Sequence, residues 1–278
     1  MEYSNQEIPE GINYTQTHPL KEFAVLTTGV IVVLGIVFLI LSLLADKVAH
    51  YIPYSYEKDI DSFVDASDWP DPELHAYMQG LADRICADLD LPEGMEVTVH
   101  YSDVEMVNAY ATLGGHVVFF KGLLEKVPNE NALSMVMAHE IAHIKHRHPI
   151  RSLGKSMVIA IAVSMISSSI GDSMVSGIVG STGTVALLNF SREHEEEADE
   201  LAIKRLTQLY GHVYGGEKLF KLLKEESGAL EKYQVPFLMT HPGIDSRIER
   251  VETAAAQQVR KDEVALPDNY FKWLGKSG

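Results

Sequence analysis

His139, Glu140 and His143 stand in the order His-Glu-x-x-His, and the spacing sets what they can do. On a helix, residues four apart share one face about 6 Å apart, so both imidazoles can reach one metal ion. Glu140, one residue round the helix, is placed to meet a water rather than the ion, which is the arrangement of a zinc hydrolase. The five-residue pattern alone also fits two histidines satisfied by ordinary hydrogen bonds. A third ligand decides between the two readings.

That ligand is sought on a second helix, SREHEEEADELAIKRL from Ser191. Glu195 and Asp199 are four apart there, so both carboxylates project from one side. Glu195 is the candidate third metal ligand. Asp199 is then placed to accept a hydrogen bond from the far nitrogen of a metal-binding histidine and fix its tautomer. Taken singly, Glu193, Glu196, Glu197 and Glu200 are solvated charges or a favourable load on a helix N-terminus.

Both positioning helices carry boundary signals. Pro128 and Asn129 open the first and Pro149 forbids its continuation, while Leu133, Met137, Ile141 and Ile144 give it an apolar face. The second has a buried face of Ala198, Leu201, Ala202 and Leu206, with Gly211 at its end. Upstream, a helix with Pro72 in its first turn is expected from Asp71 to about Leu89, ended by Pro92 and Gly94. Val97, Val99 and Tyr101 alternate as a strand, and His116 to Phe120 form another after Gly114 and Gly115. Asn108 to Ala111 lies between them. An extended peptide could add to this segment if it is a sheet edge; an ordinary hairpin fits the same residues.

The chain has 278 residues, 46% of them hydrophobic, and a formal net charge of -16. That balance argues against a nucleic-acid partner, since phosphate binding needs clustered Lys and Arg. Cys86 is the only cysteine and sits on an apolar helix face, where a small buried hydrophobe is the simpler reading than a nucleophile.

Residues 1–22 are a polar tail. Phe23 to Leu44 carry no charge and as a helix would be roughly 33 Å long, enough to cross a bilayer. The segment 23–45 is therefore taken as a permanent membrane anchor, followed by a linker over 46–70 and a catalytic domain over 71–260; 261–278 is a C-terminal tail. Lys21, Lys47 and Lys58 leave the orientation open. In 156–190 only Asp172 is charged. If His139 and Glu195 share one metal they lie on the same side of the membrane, and two full crossings need about 40 apolar residues. The stretch is too short for that, which leaves an apolar helical hairpin, either over the site or at the membrane surface, or buried without lipid contact.

HEIAH followed about fifty residues later by EEEAD resembles the M48 metallopeptidases, a group of membrane-linked zinc proteases. Other segments agree with the resemblance: NAYATLGGHVVFFKGLL from Asn108 to Leu124, Arg147 and His148 closing the first helix, Ser191 and Arg192 opening the second, and Thr240, His241, Pro242 with Arg247. His146 and the Ser-rich stretch with Asp172 depart from the family pattern. The resemblance covers roughly Ile60 to Ala255. It implies an α+β, mainly helical, gluzincin-type metallopeptidase domain with a small β-sheet, preceded by one transmembrane helix.

It also implies catalytic roles for Glu140, His241, Arg247 and Asp199, and one zinc per chain on His139, His143 and Glu195. His241 would stabilise the oxyanion with Arg247 supporting it, or block the open metal position in a latent state. The expected function is a zinc endopeptidase in a membrane, bacterial inner membrane by resemblance. Its partners would be the bilayer and protein or peptide substrates among membrane or misfolded envelope proteins. The alternative is a chaperone or assembly factor that keeps the metal site and cleaves rarely.

Overall fold

The structure is a computed structural model and describes residues 18–58, 66–154, 190–229 and 236–275. The expected hairpin over 156–190 lies outside the described residues, save Phe190. Two units are distinguished, Met1–Leu41 and Ser42–Gly278. The first is the apolar part of helix α1 (Pro19–Tyr51). Pro19–Leu41 is the one helix among the described residues long and apolar enough to cross a bilayer, and its large apolar side chains are exposed.

In the second unit, α2 (Ser55–Lys58) precedes α3 (Pro72–Cys86). Asp71 caps α3 by accepting from the Glu73 amide at 2.8 Å, and Pro72 fills a first-turn position where its missing N–H costs nothing. The helix stops at Cys86, short of the expected Leu89, because Ala87 leaves helical geometry and Asp88 takes a φ of +63°. The sheet holds β1 (Thr98–Ser102), β2 (Ala109–Ala111) and β3 (His116–Phe120) in the order β1-β3-β2. β3 is parallel to β1 and antiparallel to β2. The segment expected as an edge or a hairpin is therefore both: β2 is the edge strand of a hairpin that turns through Gly114 and Gly115. Gly115 has a φ of +83°, and a Cβ there would sit 2.1 Å from the Glu96 carbonyl oxygen.

After α4 (Lys121–Leu124) comes α5 (Glu130–Lys145), the helix that carries His139 and His143. Asn129 caps it, accepting from the Ala132 amide at 2.7 Å, a contact worth about 1 kcal/mol. An apolar stripe would suggest a half-exposed helix. Instead every residue from Glu130 to Ile144 is buried, because α3, the sheet and α6 (Arg192–Tyr210) pack round it. α6 begins where Ser191 accepts from the His194 amide and ends at Gly211, with φ +74°. The core joins Leu74, Met78, Leu81 and Ile85 of α3 to Val117 and Phe119 of β3, and Leu133, Val136, Met137 and Ile141 of α5.

Helices α7 (Lys218–Ala229), α8 (Pro236–Thr240) and α9 (Ile244–Ala256) follow. The chain then returns to α5. The Val264 carbonyl accepts from the Glu130 amide at 2.9 Å and its own amide donates to Asn131 Oδ1 at 2.7 Å. In α10 (Tyr270–Trp273) the buried Tyr270 donates to the Leu124 carbonyl at 3.2 Å.

One buried ion pair ties the segment after α1 to the end of α5. Arg147, at a left-handed φ of +57°, pairs through its guanidinium with Glu57, and both side chains are buried. Tyr54 donates to the Gly114 carbonyl at 2.6 Å. Removing Glu57 leaves the Arg147 charge buried without this carboxylate, a loss of about 3 kcal/mol. Glu57→Ala is therefore expected to lower the melting temperature of the chain in detergent by about 6–12 °C. The Glu57→Leu/Arg147→Met pair should lose less than Glu57→Ala alone.

Candidate metal centre

α5 sets the rings of His139 and His143 one turn apart, with centroids 4.6 Å apart and planes at 81°. Their Nε2 atoms are 3.0 Å apart. α6 brings Glu195 to the same point, with Oε2 at 3.4 Å from His139 Nε2 and Oε1 at 3.5 Å from His143 Nε2. Tetrahedral zinc with bonds of about 2.0–2.1 Å separates its ligand atoms by about 3.3–3.4 Å. The three donors thus already form a face of that shape. All three side chains are buried.

A fourth donor comes from the turn after α8. His241 Nδ1 lies 3.4 Å from His139 Nε2 and 3.1 and 3.3 Å from the two Glu195 oxygens. Donor atoms of His139, His143, Glu195 and His241 all lie within 4.8 Å of one another. Phe237 stacks on the His241 ring at 4.7 Å. On its other side, His241 Nε2 is 3.6 Å from Glu140 Oε1. Glu140 is fully buried, and neither of its oxygens has a hydrogen-bond partner among the described residues. A buried carboxylate beside nitrogen and oxygen donors with nothing to accept from is a fit for a hydrated cation.

Behind the donors lies a charged layer. Asp199 Oδ1 is 3.0 Å from His139 Nδ1 and 2.9 Å from Arg247 Nε, and its Oδ2 accepts from Arg250 Nη1 at 2.6 Å. Arg247 also pairs with Glu195 and sits over the Phe220 ring at 5.1 Å. The described ionic partners of Arg247 are thus Glu195 and Asp199.

Burial opposes ionisation of Glu195, but His241 and Arg247 beside it hold its carboxyl well below the usual range. Asp199 is lowered in the same way by Arg247 and His139. Burial raises Glu140. His139 is pushed down by burial and Arg247, yet contacts to Asp199 and Glu195 overcome both and bring it to about 9. Burial and the charge on His139 keep His143 well below its ordinary value. Away from the site, burial pushes the Cys86 thiol up to about 12, the behaviour of a packed hydrophobe rather than a nucleophile.

The structure thus brings His139, Glu140, His143, Glu195, Asp199, His241 and Arg247 into one cluster. Two neighbours lacked a sequence signal, and a third, His148, was named only for its place in a motif. Phe190 stacks on His143 at 3.9 Å and 16°, Arg250 holds Asp199, and His148 touches His143 at 2.8 Å. Arg250 was visible only as a residue one turn beyond Arg247.

Comparison with known proteins agrees with this geometry. The model of peptidase family M48 matches residues 68–255, and the chain belongs to that family. Over 212 residues it is 29% identical to the beta-barrel assembly-enhancing protease of Yersinia pestis, a match covering 72% of this chain and 43% of that protein. The protein of the same name from Escherichia coli strain K12 is 28% identical over 215 residues, covering 72% and 42%. The mitochondrial metalloendopeptidase OMA1 of Schizosaccharomyces pombe is 30% identical over 146 residues, covering 52% and 42%. The chain spans less than half the length of each of these relatives.

The proton on His139 has a measurable consequence. Its folded value of about 9 exceeds the ordinary 6.5, so protonation stabilises the fold fully below pH 6.5, and that contribution is lost as pH rises through about 9. His143 and His148 are shifted the other way; they give up protons only in the unfolded chain, near pH 6.5, and so oppose the decline only at the start of this window. Urea unfolding in the presence of a chelator should show stability falling by about 3 kcal/mol from pH 6.5 to above 9. The decline should be absent from His139→Gln.

Proposed function

We propose that this chain is a membrane-anchored zinc endopeptidase that cuts membrane or misfolded envelope proteins. The single observation carrying this reading is the donor face of His139, His143 and Glu195, with Glu140 beside it. Two imidazoles and one carboxylate are the three-ligand set of catalytic zinc, which keeps a further position open. Zinc held there would polarise a peptide carbonyl and lower the pKa of a water from about 15.7 to near 7.

Glu140 takes the proton from that water. Its raised pKa and lack of other partners suit it to accept the proton and then hand it to the leaving nitrogen. Asp199, fixed by Arg247 and Arg250, holds the far nitrogen of His139 and so its orientation. Arg247 keeps Glu195 ionised and in place. In the resemblance-based scheme His241 donates to the oxyanion, a contribution worth about 2.7–4 kcal/mol for donors of this kind. The placement of its Nδ1 favours a second state, in which His241 itself takes the fourth ligand position and must swing away before substrate binds.

The substrate strand would add to β2. Phe120 donates to the Asn108 carbonyl at 3.1 Å and Thr112 to the His116 carbonyl at 2.8 Å, so Asn108, Tyr110 and Thr112 face β3 while Ala109 and Ala111 face outward. Asn108 Oδ1 already accepts from the Ala109 amide at 3.0 Å. The Ala109 carbonyl and both groups of Ala111 point toward that edge; both residues are buried in this structure, so an extended peptide would have to displace what covers them. The anchor is assigned to 23–45, the peptidase domain to 71–260 and the membrane to a bacterial inner membrane; relatives named for β-barrel assembly support envelope substrates.

Glu140→Gln tests the reading and separates it from a chaperone that keeps its metal. The variant should bind one zinc per chain like the wild type but cleave an unfolded protein about 10²–10⁴-fold more slowly, and excess chelator should stop the wild type. Equal activity of the two in cells would favour the chaperone.

A further inference from the structure

We propose that His148 and Glu197 form a relay that orients the metal-facing imidazole of His143, making both of them positioning residues. The proposal rests on the metal-site reading above. His148 Nδ1 lies 2.8 Å from His143 Nδ1, and His148 Nε2 lies 2.8 Å from Glu197 Oε2. Two ring nitrogens facing each other at this distance need one proton between them. His143 must leave Nε2 bare toward Glu195 and His139, so its proton sits on Nδ1 and is donated to His148. His148 then carries its own proton on Nε2 and donates it to Glu197, a carboxylate that only accepts. Each link fixes the tautomer of the next.

The two metal-facing histidines are thereby held differently. His139 has the Asp199 carboxylate 3.0 Å from its outer nitrogen, the usual partner of such a ligand. His143 has a neutral imidazole there, with the carboxylate one residue further out. Geometry confines His148 to this task. It is fully buried, its ring stacks on His194 at 4.1 Å and 9°, and the left-handed turn at Arg147 folds the chain back so that it lies under His143. Glu197 is steadied by Arg151 at 3.6 Å.

The test uses the full chain in detergent and compares His148→Phe, which keeps the ring and its stacking, with His148→Asn, whose Oδ1 replaces Nδ1 as an acceptor. Zinc affinity is read by chelator competition, and the geometry by the visible spectrum of the cobalt-substituted protein. His148→Phe should bind zinc about 10–100-fold more weakly and shift the cobalt bands. His148→Asn should recover most of the affinity, and Glu197→Ala should fall between it and His148→Phe. Wild-type affinity and spectrum in His148→Phe, or equal weakness in both His148 variants, would overturn the relay alone. A wild-type chain that takes up no zinc would overturn the metal-site reading and the relay with it.

Discussion

A carboxylate held ionised among imidazoles, away from water, is the constraint on which this molecule turns. Glu195 would not stay charged where it is without a cation beside it, and Arg247 supplies one from a third helix. That guanidinium is itself buried and leans on Phe220, so it has little freedom to leave. The second carboxylate, Asp199, is held between Arg247 and Arg250. The same two carboxylates favour a proton on His139, bringing it to about 9. A divalent ion would displace that proton and take over its role, so metal uptake and proton release are one exchange.

Everything around the cluster serves to bring α5 and α6 together at the right rotation. α5 is buried on every side, so its heading is set by packing from the sheet, α3 and α6 rather than by solvent. Its first turn is held by Asn129 and by the returning chain at Val264; its last is followed by Arg147 and the turn that presents His148. α6 starts from a serine cap a single turn before Glu195. Because Glu195 lies so near a fixed helix start, its carboxylate inherits the placement of the cap.

Much of this could be read from residue types. The four-residue spacing of His139 with His143, and of Glu195 with Asp199, put each pair on one helix face, and the structure places all four together. Asn129, Ser191 and Gly211 marked helix ends because capping is local chemistry. What failed to show was set by chain crossings. Nothing in the sequence says that Phe190 lies flat on His143, that Arg250 reaches back to α6, or that Glu263 and Val264 meet the start of α5. Local periodicity also overran the end of α3, where a single left-handed residue, Asp88, outweighed the apolar pattern continuing to Leu89.

The clasp formed by Tyr54 and Glu57 bears on where the chain can be cut. A water-soluble version freed of its apolar helix would be trimmed naturally at the start of the Asp71 helix, since the stretch before it reads as a spacer. That cut would take the Glu57 carboxylate from a buried guanidinium and the Tyr54 hydroxyl from the Gly114 carbonyl, next to the edge strand and α5 at once. A shortened chain that begins ahead of Tyr54 keeps both contacts. The few residues after the apolar helix thus belong to the folded body, and not to its tether.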